Sequence, residues 1–408
     1  MRQRTTMISM AAAFLCVVTL PTAVLAQESP FPEGEAKALV EGLCISCHRL
    51  EYITRHAGHS REDWLSHFGS MIALPDDRAN MIADYLATHF PQKPGTEPVV
   101  IPGPVDIKFT EWEAPTLGQR PHDPLWTEDG SIWWTGQWAN RLGQLDPATG
   151  EREEFPLNVP DSHPHGLVEA SDGGIWFTAV RGGYVGRFDP ETKEVREFFV
   201  PEGTRGPHTP IFDDRGSVWF TMQSGHVGRI VLATEEMTIS ATPTANTYPY
   251  GIQVNSQGEP WYVDFRGNRL GSVDPATGKI TEYELPNPDS RPRRIALTPD
   301  DAVWYTDYSR GYIGRFDPET GEVKEWPSPG GAESRPYGIA SLGNTLWYGE
   351  SYSWPNTLVR FDADSEGFQS WAIPSGGGVI RHMMATPDGN LVLACSGVNR
   401  VALVEVGI

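Results

Sequence analysis

Residues 175–190 read IWFTAVRGGYVGRFDP, and residues 303–318 read VWYTDYSRGYIGRFDP, so two distant segments share one pattern. Other copies lie between and beside them. An apolar or small residue followed by Trp recurs at spacings of 42 or 43 residues, at Trp133, Trp176, Trp219, Trp261, Trp304 and Trp347, and Val392 takes the seventh place. Each copy holds short apolar segments separated by Gly-, Asp- and Pro-rich turns, which predicts four strands per repeat. Seven four-stranded repeats predict an all-β seven-bladed β-propeller over residues 106–408.

The ends of the repeat region predict how the propeller closes. The last repeat stops at Val406-Gly407-Ile408 without a fourth strand, and residues 107–112 before the first repeat have a strand pattern. We expect this early strand to complete the seventh blade, because closure removes open sheet edges.

The charge balance limits the class of partner. The chain of 408 residues has 32 Lys and Arg against 53 Asp and Glu, which gives a formal net charge of −21 at pH 7. A surface of this charge repels phosphate backbones, so no nucleic-acid partner is expected. A hydrophobic content of 39% allows a packed core and is too low for a polytopic membrane protein.

The first 26 residues have the three parts of a secretory signal. Arg2 and Arg4 precede an apolar run over residues 10–20, and Ala26 marks the expected cleavage site. The run is short for a membrane anchor, so we expect a periplasmic protein rather than an integral membrane protein. Cleavage removes Cys16 and leaves Cys44, Cys47 and Cys395, an odd number that argues against a disulfide framework.

The sequence Cys44-Ile45-Ser46-Cys47-His48 has the C-x-x-C-H spacing of a haem-attachment site. The Cys44 and Cys47 thiols are suited to thioether bonds with haem c, and the His48 imidazole to ligation of the iron. Helices are predicted over residues 33–43 and 76–90 from their apolar periodicity.

These features resemble a small all-α class I c-type cytochrome domain, placed over residues 27–92 in front of the propeller. The resemblance implies that Met71, before the last helix, is the sixth iron ligand. The alternatives are an open site or one of four histidines, namely His56, His59, His67 and His89. Residues 93–105 are Pro-rich and predict a stiff, extended linker.

The propeller repeats carry three motifs: Pro-His/Tyr-Gly-Ile, Ile-Trp-Phe-Thr and Ile-Gly-Arg-Phe-Asp-Pro-x-Thr-Gly. They are similar to those of the streptogramin B lyase (virginiamycin B lyase) family. The resemblance implies a seven-bladed propeller that opens a cyclic depsipeptide at an ester bond by elimination, with a divalent metal such as Mg²⁺. It also implies two histidines from the Pro-His starts of neighbouring blades, and a Glu that follows an aromatic-Thr step.

His122, His165 and His208 match the histidine places of that family. The acid place in the same blades holds Gly136, Ala179 and Met222, so it is not matched there. Glu350 occupies an acid place, but its blade starts with Tyr337. We predict His122, His165, His208 and Glu350 as candidate catalytic residues.

Two positions in each blade are expected to face the central channel, one at the start of the first strand and one at the end of the second. The first position holds His122, His165, His208, Tyr250, Arg293, Tyr337 and the pair Arg381-His382. The second position holds carboxylates in blades four to six, of which Asp264 and Asp307 are candidate ligands of a divalent cation such as Mg²⁺. Arg293, Arg294 and Arg381 add positive charge, and ion pairs between these arginines and the acids are the alternative.

The haem-attachment motif and the central funnel of the propeller together lead to one main hypothesis. We predict an exported c-type haem protein in electron transfer, a redox enzyme or redox partner whose funnel binds a small-molecule substrate and whose haem passes electrons to an exported carrier. The alternatives are a non-redox C–O lyase of the streptogramin lyase type and a binding module.

Overall fold

The computed structural model describes residues 31–44, 60–61, 64–65, 74–91, 96–116 and 118–407. The predicted signal segment and the predicted haem residues Cys47, His48 and Met71 lie outside these ranges. Cys44 is described as the last residue of a helix, without its side chain.

Two helices precede the propeller in the described part of the chain. Helix α1 spans Lys37–Cys44, and helix α2 spans Asp76–His89 after Pro75. Two carboxylates in the first turn of α2 face the positive end of its dipole. The helices share an apolar cluster whose buried members include Ala36, Val40, Trp64, Ile82, Tyr85 and Leu86. The helices confirm the predicted positions to within four residues, but they do not by themselves show a cytochrome domain.

The start of α1 is later than predicted because residues 33–36 form a turn. Lys37 donates its backbone N–H to the Gly34 carbonyl oxygen at 3.1 Å. A Cβ atom at Gly34 would lie 2.9 Å from the Tyr85 ring, so the close packing of this turn on α2 requires glycine.

From residue 107 onward the described chain forms seven four-stranded antiparallel sheets, which are the predicted seven blades. Blade one consists of β2 (Pro121–Trp126), β3 (Ile132–Gly136), β4 (Arg141–Leu145) and β5 (Arg152–Pro156). Blade two consists of β6 (Pro164–Glu169), β7 (Ile175–Ala179), β8 (Tyr184–Phe188) and β9 (Val195–Phe199). Blade three consists of β10 (Pro207–Phe212), β11 (Ser217–Met222), β12 (His226–Val231) and β13 (Glu236–Ala241).

The next three blades repeat the same order. Blade four consists of β14 (Pro249–Val254), β15 (Pro260–Asp264), β16 (Arg269–Val273) and β17 (Ile280–Glu284). Blade five consists of β18 (Pro292–Leu297), β19 (Val303–Asp307), β20 (Tyr312–Phe316) and β21 (Val323–Pro327). Blade six consists of β22 (Pro336–Leu342), β23 (Thr345–Glu350), β24 (Thr357–Asp362) and β25 (Gly367–Ala372).

Blade seven joins the two ends of the propeller. It contains β26 (Ile380–Ala385), β27 (Leu391–Cys395), β28 (Arg400–Val406) and the early strand β1 (Ile107–Glu113). Strand β1 pairs with β28 from Ile107 opposite Val406 to Glu113 opposite Arg400. The predicted closure is therefore confirmed.

The repeated Trp of the second strand stacks on an aromatic ring from the outermost strand of its own blade. Five such pairs have interplanar angles between 13° and 24°: Trp133–Phe155, Trp176–Phe198, Trp261–Tyr283, Trp304–Trp326 and Trp347–Trp371. The two rings of each pair meet across the third strand, which lies between their strands in the sheet, and the contact buries a large apolar area. This contact explains why an aromatic residue follows five of the six Trp residues at a nearly fixed distance; strand β13 of blade three has no aromatic residue.

The Gly of the Gly-Arg motif has a steric cause. In blades one to five, the residue after the repeated Trp lays its ring over this Gly on the third strand, so that a Cβ atom at Gly186 would lie 2.2 Å from Phe177. The same overlap, 2.1 Å, occurs between Gly314 and Tyr305. In these blades only glycine leaves room for the ring, whereas blade six has Val359 opposite Tyr348.

The innermost strands share an irregularity that shapes the channel. In every blade the pairing register shifts between the first residue of the inner strand and the residue three positions later, as between Pro121 and Pro124. The two residues inside this bulge are released from the ladder. Both residues then contact residues of other blades in the central channel.

Residues 96–105, predicted as linker, are extended and attached to blade six. Ser370 of β25 donates its backbone N–H to the Ile101 carbonyl oxygen, and the Gln369 side chain donates to the Val105 carbonyl oxygen at 2.6 Å. Thr96 forms a bridge with Ser353. The segment thus continues the outer edge of the blade.

No helix in the described part of the chain is long and apolar enough to cross a bilayer.

Candidate functional site

Three imidazoles stand in contact at the centre of the propeller. His122, His165 and His208 each follow the proline that begins the inner strand of blades one, two and three. Ring centres lie 3.8 Å apart between His122 and His165, and 3.6 Å apart between His165 and His208. The Tyr250 ring continues the series at 3.9 Å from His208. We call the three histidines the imidazole column.

The imidazole column is neutral near pH 7. Each side chain is at most 2% exposed, and burial lowers the pKa of all three well below the usual 6.5. Neighbouring imidazoles and guanidiniums lower the pKa of His122 and His165 further. Neutral rings offer nitrogen lone pairs. His165 Nδ1 and His208 Nε2 are buried with no hydrogen-bond partner in the described part of the chain.

The threonine of the Trp-aromatic-Thr motif fixes the column between blades. Thr135 accepts a hydrogen bond from the Asp123 backbone N–H of its own blade and donates to the His165 carbonyl oxygen of the next blade at 2.7 Å. Thr178 repeats this bridge between Gly166 N–H and the His208 carbonyl oxygen. The bulge N–H groups are thereby satisfied, and the histidine backbones are held in register.

The residue that follows the channel residue of each inner strand forms a second level below the column. At this level the Arg294 guanidinium donates through Nη2 to Asp123 Oδ1 at 2.8 Å and through Nη1 to Thr209 Oγ1 at 3.1 Å. Its Nε donates to the Arg381 carbonyl oxygen at 3.1 Å. Arg294 and Asp123 are 1% and 2% exposed. We call this ion pair the axial pair, because it joins blades five and one across the channel.

Asp123 Oδ1 also lies 2.7 Å from His122 Nδ1. Burial raises the pKa of Asp123 to about 6, and the Arg294 charge works against that shift. The carboxylate is therefore shared between one imidazole and one guanidinium.

Below the axial pair lies a cavity of about 500 Å³. Its lining includes Thr209 and His382, from the level of the axial pair, and apolar residues of the inner strands such as Leu167, Ile252 and Met383. Glu169 is the charged residue of this lining.

On the other side of the axial pair, arginines and tyrosines surround the channel mouth. The Arg293 guanidinium carbon lies 3.7 Å from the Tyr337 ring centre and 4.2 Å from that of Tyr308. The Tyr337 and Tyr250 hydroxyls are 2.5 Å apart. Burial opposes ionisation of Tyr337, but Arg293, Arg381 and Arg294 outweigh it and lower its pKa to about 8.

Arg120 is the mouth residue that the sequence interpretation missed. Burial lowers its pKa to about 9, and the nearby Arg381 charge adds to the effect. Arg120 directly precedes Pro121, in the place that His163 and Arg335 occupy in blades two and six. That shared place is the signal that could have identified it. We call Arg120, Arg293 and Arg381 the basic mouth.

The predicted acid residues have other partners. Asp264 accepts the Tyr248 backbone N–H at 2.7 Å and lies 3.6 Å from Arg269. Asp307 accepts the Arg291 backbone N–H at 3.0 Å and pairs with Arg310 at 3.1 Å. These carboxylates fix the loop that leads into the channel residue of their own blade, and their arginine partners are Arg269 and Arg310 rather than the three arginines expected from the sequence.

Glu350 is likewise engaged, by the loop that connects blades five and six and by Thr357 of its own blade. It accepts hydrogen bonds from Ser328 at 2.5 Å, from the Gly330 backbone N–H at 2.7 Å and from Thr357 at 2.5 Å. It is fully buried. The structure thus brings the three candidate histidines together and gives Glu350 a loop-anchoring place.

The described residues do not fit the Mg²⁺ site implied by the resemblance. The one group of three potential ligands among them is His122, Asp123 and His165, whose ligand atoms lie within 4.8 Å of one another. A metal ion there would compete with the Arg294 guanidinium for the Asp123 oxygen, beside two further arginines. Asp264 and Asp307 belong to no such group.

Comparisons with known proteins agree with this fold. The sequence profile of the virginiamycin B lyase family matches residues 104–341 and 277–407. Comparison with curated protein sequences gave no match. A streptogramin B lyase structure superposes with a TM-score of 0.67 at 25% identity, and the match covers 74% of this chain and 98% of that chain.

Two further structures extend the comparison. A catalytically inactive His-to-Ala variant of virginiamycin B lyase from Staphylococcus aureus, solved with quinupristin, gives a TM-score of 0.66 at 24% identity, with 74% of this chain and 99% of that chain covered. Hydrazine synthase from Kuenenia stuttgartiensis gives a TM-score of 0.59 at 15% identity, and the match covers 70% of this chain and 95% of that chain. Both likenesses show the fold alone.

Proposed function

The chain belongs to the virginiamycin B lyase family, and on that premise we propose that its channel mouth binds a small organic molecule on which a neutral imidazole acts as general base. The imidazole column carries this proposal. His165 Nδ1 and His208 Nε2 are buried nitrogens without partners in the described part, and such atoms gain free energy when a ligand supplies a partner.

The reaction class that suits this site is elimination at an ester. The imidazole takes a proton from the carbon beside the carbon–oxygen bond, and the freed electron pair forms a carbon–carbon double bond. The carbon–oxygen bond breaks, and the carboxylate leaves with its electron pair toward the basic mouth. The imidazolium holds the proton.

The low pKa of the free column has a consequence for this base. Imidazoles with such a pKa are weak bases in the empty site. The negative charge that develops on the leaving carboxylate favours the protonated form and raises their pKa. The reaction would thereby strengthen its own base.

Quinupristin is the first substrate to test, because the structure of a virginiamycin B lyase variant has been solved with this compound. We expect a linear product of unchanged total mass, since elimination adds no water, and loss of about 100-fold or more in turnover for His165→Gln and His208→Gln. Gln keeps a polar side chain of similar length. Bound quinupristin without turnover would favour the binding module, and undiminished turnover in both variants would contradict a general base in the column.

We propose electron transfer through haem c as a second function of the chain. The motif Cys44-Ile45-Ser46-Cys47-His48 supports it, with Cys44 and Cys47 as thioether sites and His48 and Met71 as axial ligands. Bound haem would supply one-electron chemistry. Export to the periplasm by the N-terminal segment and an exported electron carrier as partner belong to the same proposal.

A visible spectrum of protein made in a host that matures c-type cytochromes tests this second function. Sharp absorption bands of the reduced haem that disappear in the Cys44→Ser, Cys47→Ser double variant would support electron transfer through haem c. Haem-free protein from such a host would contradict it and leave the function to the propeller.

A further inference from the structure

Unpaired positive charge is concentrated at the basic mouth of a strongly acidic protein. The net charge of the chain is −21, yet Arg120, Arg293 and Arg381 meet where the inner strands begin. The Nε atom of each guanidinium is buried without a hydrogen-bond partner in the described residues. Other arginines of the propeller, such as Arg310 and Arg315, do have carboxylate partners.

Arg293 is partly compensated by aromatic faces, whereas Arg120 and Arg381 are less so. Four rings lie within 5.3 Å of the Arg293 guanidinium carbon, from Tyr250, Phe265, Tyr308 and Tyr337. Arg120 has the Trp138 ring at 4.5 Å, and Arg381 has Tyr337 at 5.9 Å. The site therefore retains donors for a ligand.

The backbone at Arg120 has the left-handed conformation, with φ +57°. Non-glycine residues adopt this region at a cost, and such residues cluster at functional sites. The conformation presents a half-buried guanidinium that glycine in the same place would not supply.

The rim of the mouth is aromatic. Phe265 and Tyr308 are partly exposed, and their rings contact each other at 5.8 Å between centres. A planar organic group packs on such rings better than a small inorganic ion does.

We propose that the basic mouth is a binding site for an aromatic carboxylate, with its carboxylate on Arg120 and Arg381 and its ring on the aromatic rim. Guanidinium groups bind carboxylates through paired N–H donors, and the buried Nε atoms gain the partners they lack. The inference rests on the proposed function in one respect: the carboxylate would place the ligand beside the imidazole column.

Calorimetric titration of the full-length protein with benzoate, benzamide and inorganic phosphate tests this assignment. We expect benzoate to bind and benzamide, its neutral analogue, to bind about tenfold more weakly or not at all. Phosphate that binds as tightly as benzoate would overturn the carboxylate class, and so would equal binding of benzamide. Absence of benzoate binding would overturn the site.

Three variants locate the site. Arg120→Gly suits the left-handed backbone, and Arg381→Gln retains a polar side chain; both should weaken benzoate binding about tenfold or more. Lys193→Gly is the control, because exposed Lys193 has the same left-handed backbone, with φ +63°, and lies between the two outer strands of blade two. Equal affinity in all three variants would contradict the assignment.

The variant His165→Gln separates this inference from the proposed function. Benzoate binding that persists while turnover is lost supports both. Turnover by the wild-type protein that is lost in His165→Gln, with no benzoate binding to either protein, overturns the anion site and leaves the general base in place.

Discussion

Arg294 donates to Asp123 at 2.8 Å across the axis of the propeller, from blade five to blade one. Both side chains are almost completely buried, and the same carboxylate oxygen faces His122. One ion pair therefore connects opposite sides of the propeller and lies directly beneath the imidazole column.

Replacing only one partner of the axial pair should lower the free energy of unfolding more than replacing both partners. We expect Asp123→Leu and Arg294→Met each to lower the free energy of unfolding by about 3–5 kcal/mol, because each leaves a buried charge unpaired. The double variant should lose less than the sum of the two. Urea denaturation of the four proteins measures this coupling, and strictly additive losses would show that the two residues act independently.

Stability should depend on pH through the imidazole column. Because burial holds the folded-state pKa of three histidines well below 6.5, only the unfolded chain takes up these protons as the pH falls below about 6.5. The free energy of unfolding should then fall by up to about 1.4 kcal/mol per imidazole for each pH unit. The raised pKa of Asp123, about 6, acts in the opposite direction between about pH 4 and 6.

Urea denaturation at several pH values between about 7.5 and 5.5 measures how steeply the free energy of unfolding changes with pH. In His165→Gln this slope should correspond to about one fewer proton taken up on unfolding. A slope that the variant leaves unchanged would mean that His165 is protonated in the folded protein.

The threonine bridges should contribute measurably to the blade contacts. Thr178→Val removes the link between Gly166 and the His208 carbonyl oxygen and leaves a buried N–H unpaired, so we expect a loss of about 1–3 kcal/mol. Blade four has Val263 in this place, which shows that the shape is tolerated. Thermal unfolding of Thr178→Val compared with the exposed change Thr192→Val checks this, and equal melting temperatures would argue against the bridge.

Divalent cations should not stabilise the propeller. Asp264 and Asp307 are engaged by backbone N–H groups and arginines, so addition of Mg²⁺ or of a chelator should leave the melting temperature unchanged. Asp307→Asn should still lower it, because it weakens the contact with Arg310. A rise with Mg²⁺ that disappears in Asp264→Asn would contradict this assignment and restore the carboxylates as ligands.

The sequence was sufficient for the fold because the stacking contacts recur with the repeat. Trp176 packs on Phe198 within one blade, so the spacing between them is a local property that any copy reveals. Closure by residues 107–113 was also predictable, because one strand was missing at one end and one was in excess at the other.

The site was only partly predictable because it depends on contacts between blades. The Pro-His pattern identified His122, His165 and His208, and the structure places them in one column. The bulge that brings the following residue to the centre changes the register by an amount that sequence spacing does not reveal. Asp123 and Arg294 were therefore not recognised as partners.

The protonation state of the imidazole column is the most direct test of this account. Histidine-selective NMR titration, with His165 assigned from the His165→Gln spectrum, measures the pKa of each ring. The account predicts that the His165 signal of the folded protein does not shift down to about pH 5.5, and that it begins to titrate at higher pH when benzoate is bound. Titration of His165 near the ordinary value of about 6.5 in the free protein would contradict a neutral, buried column.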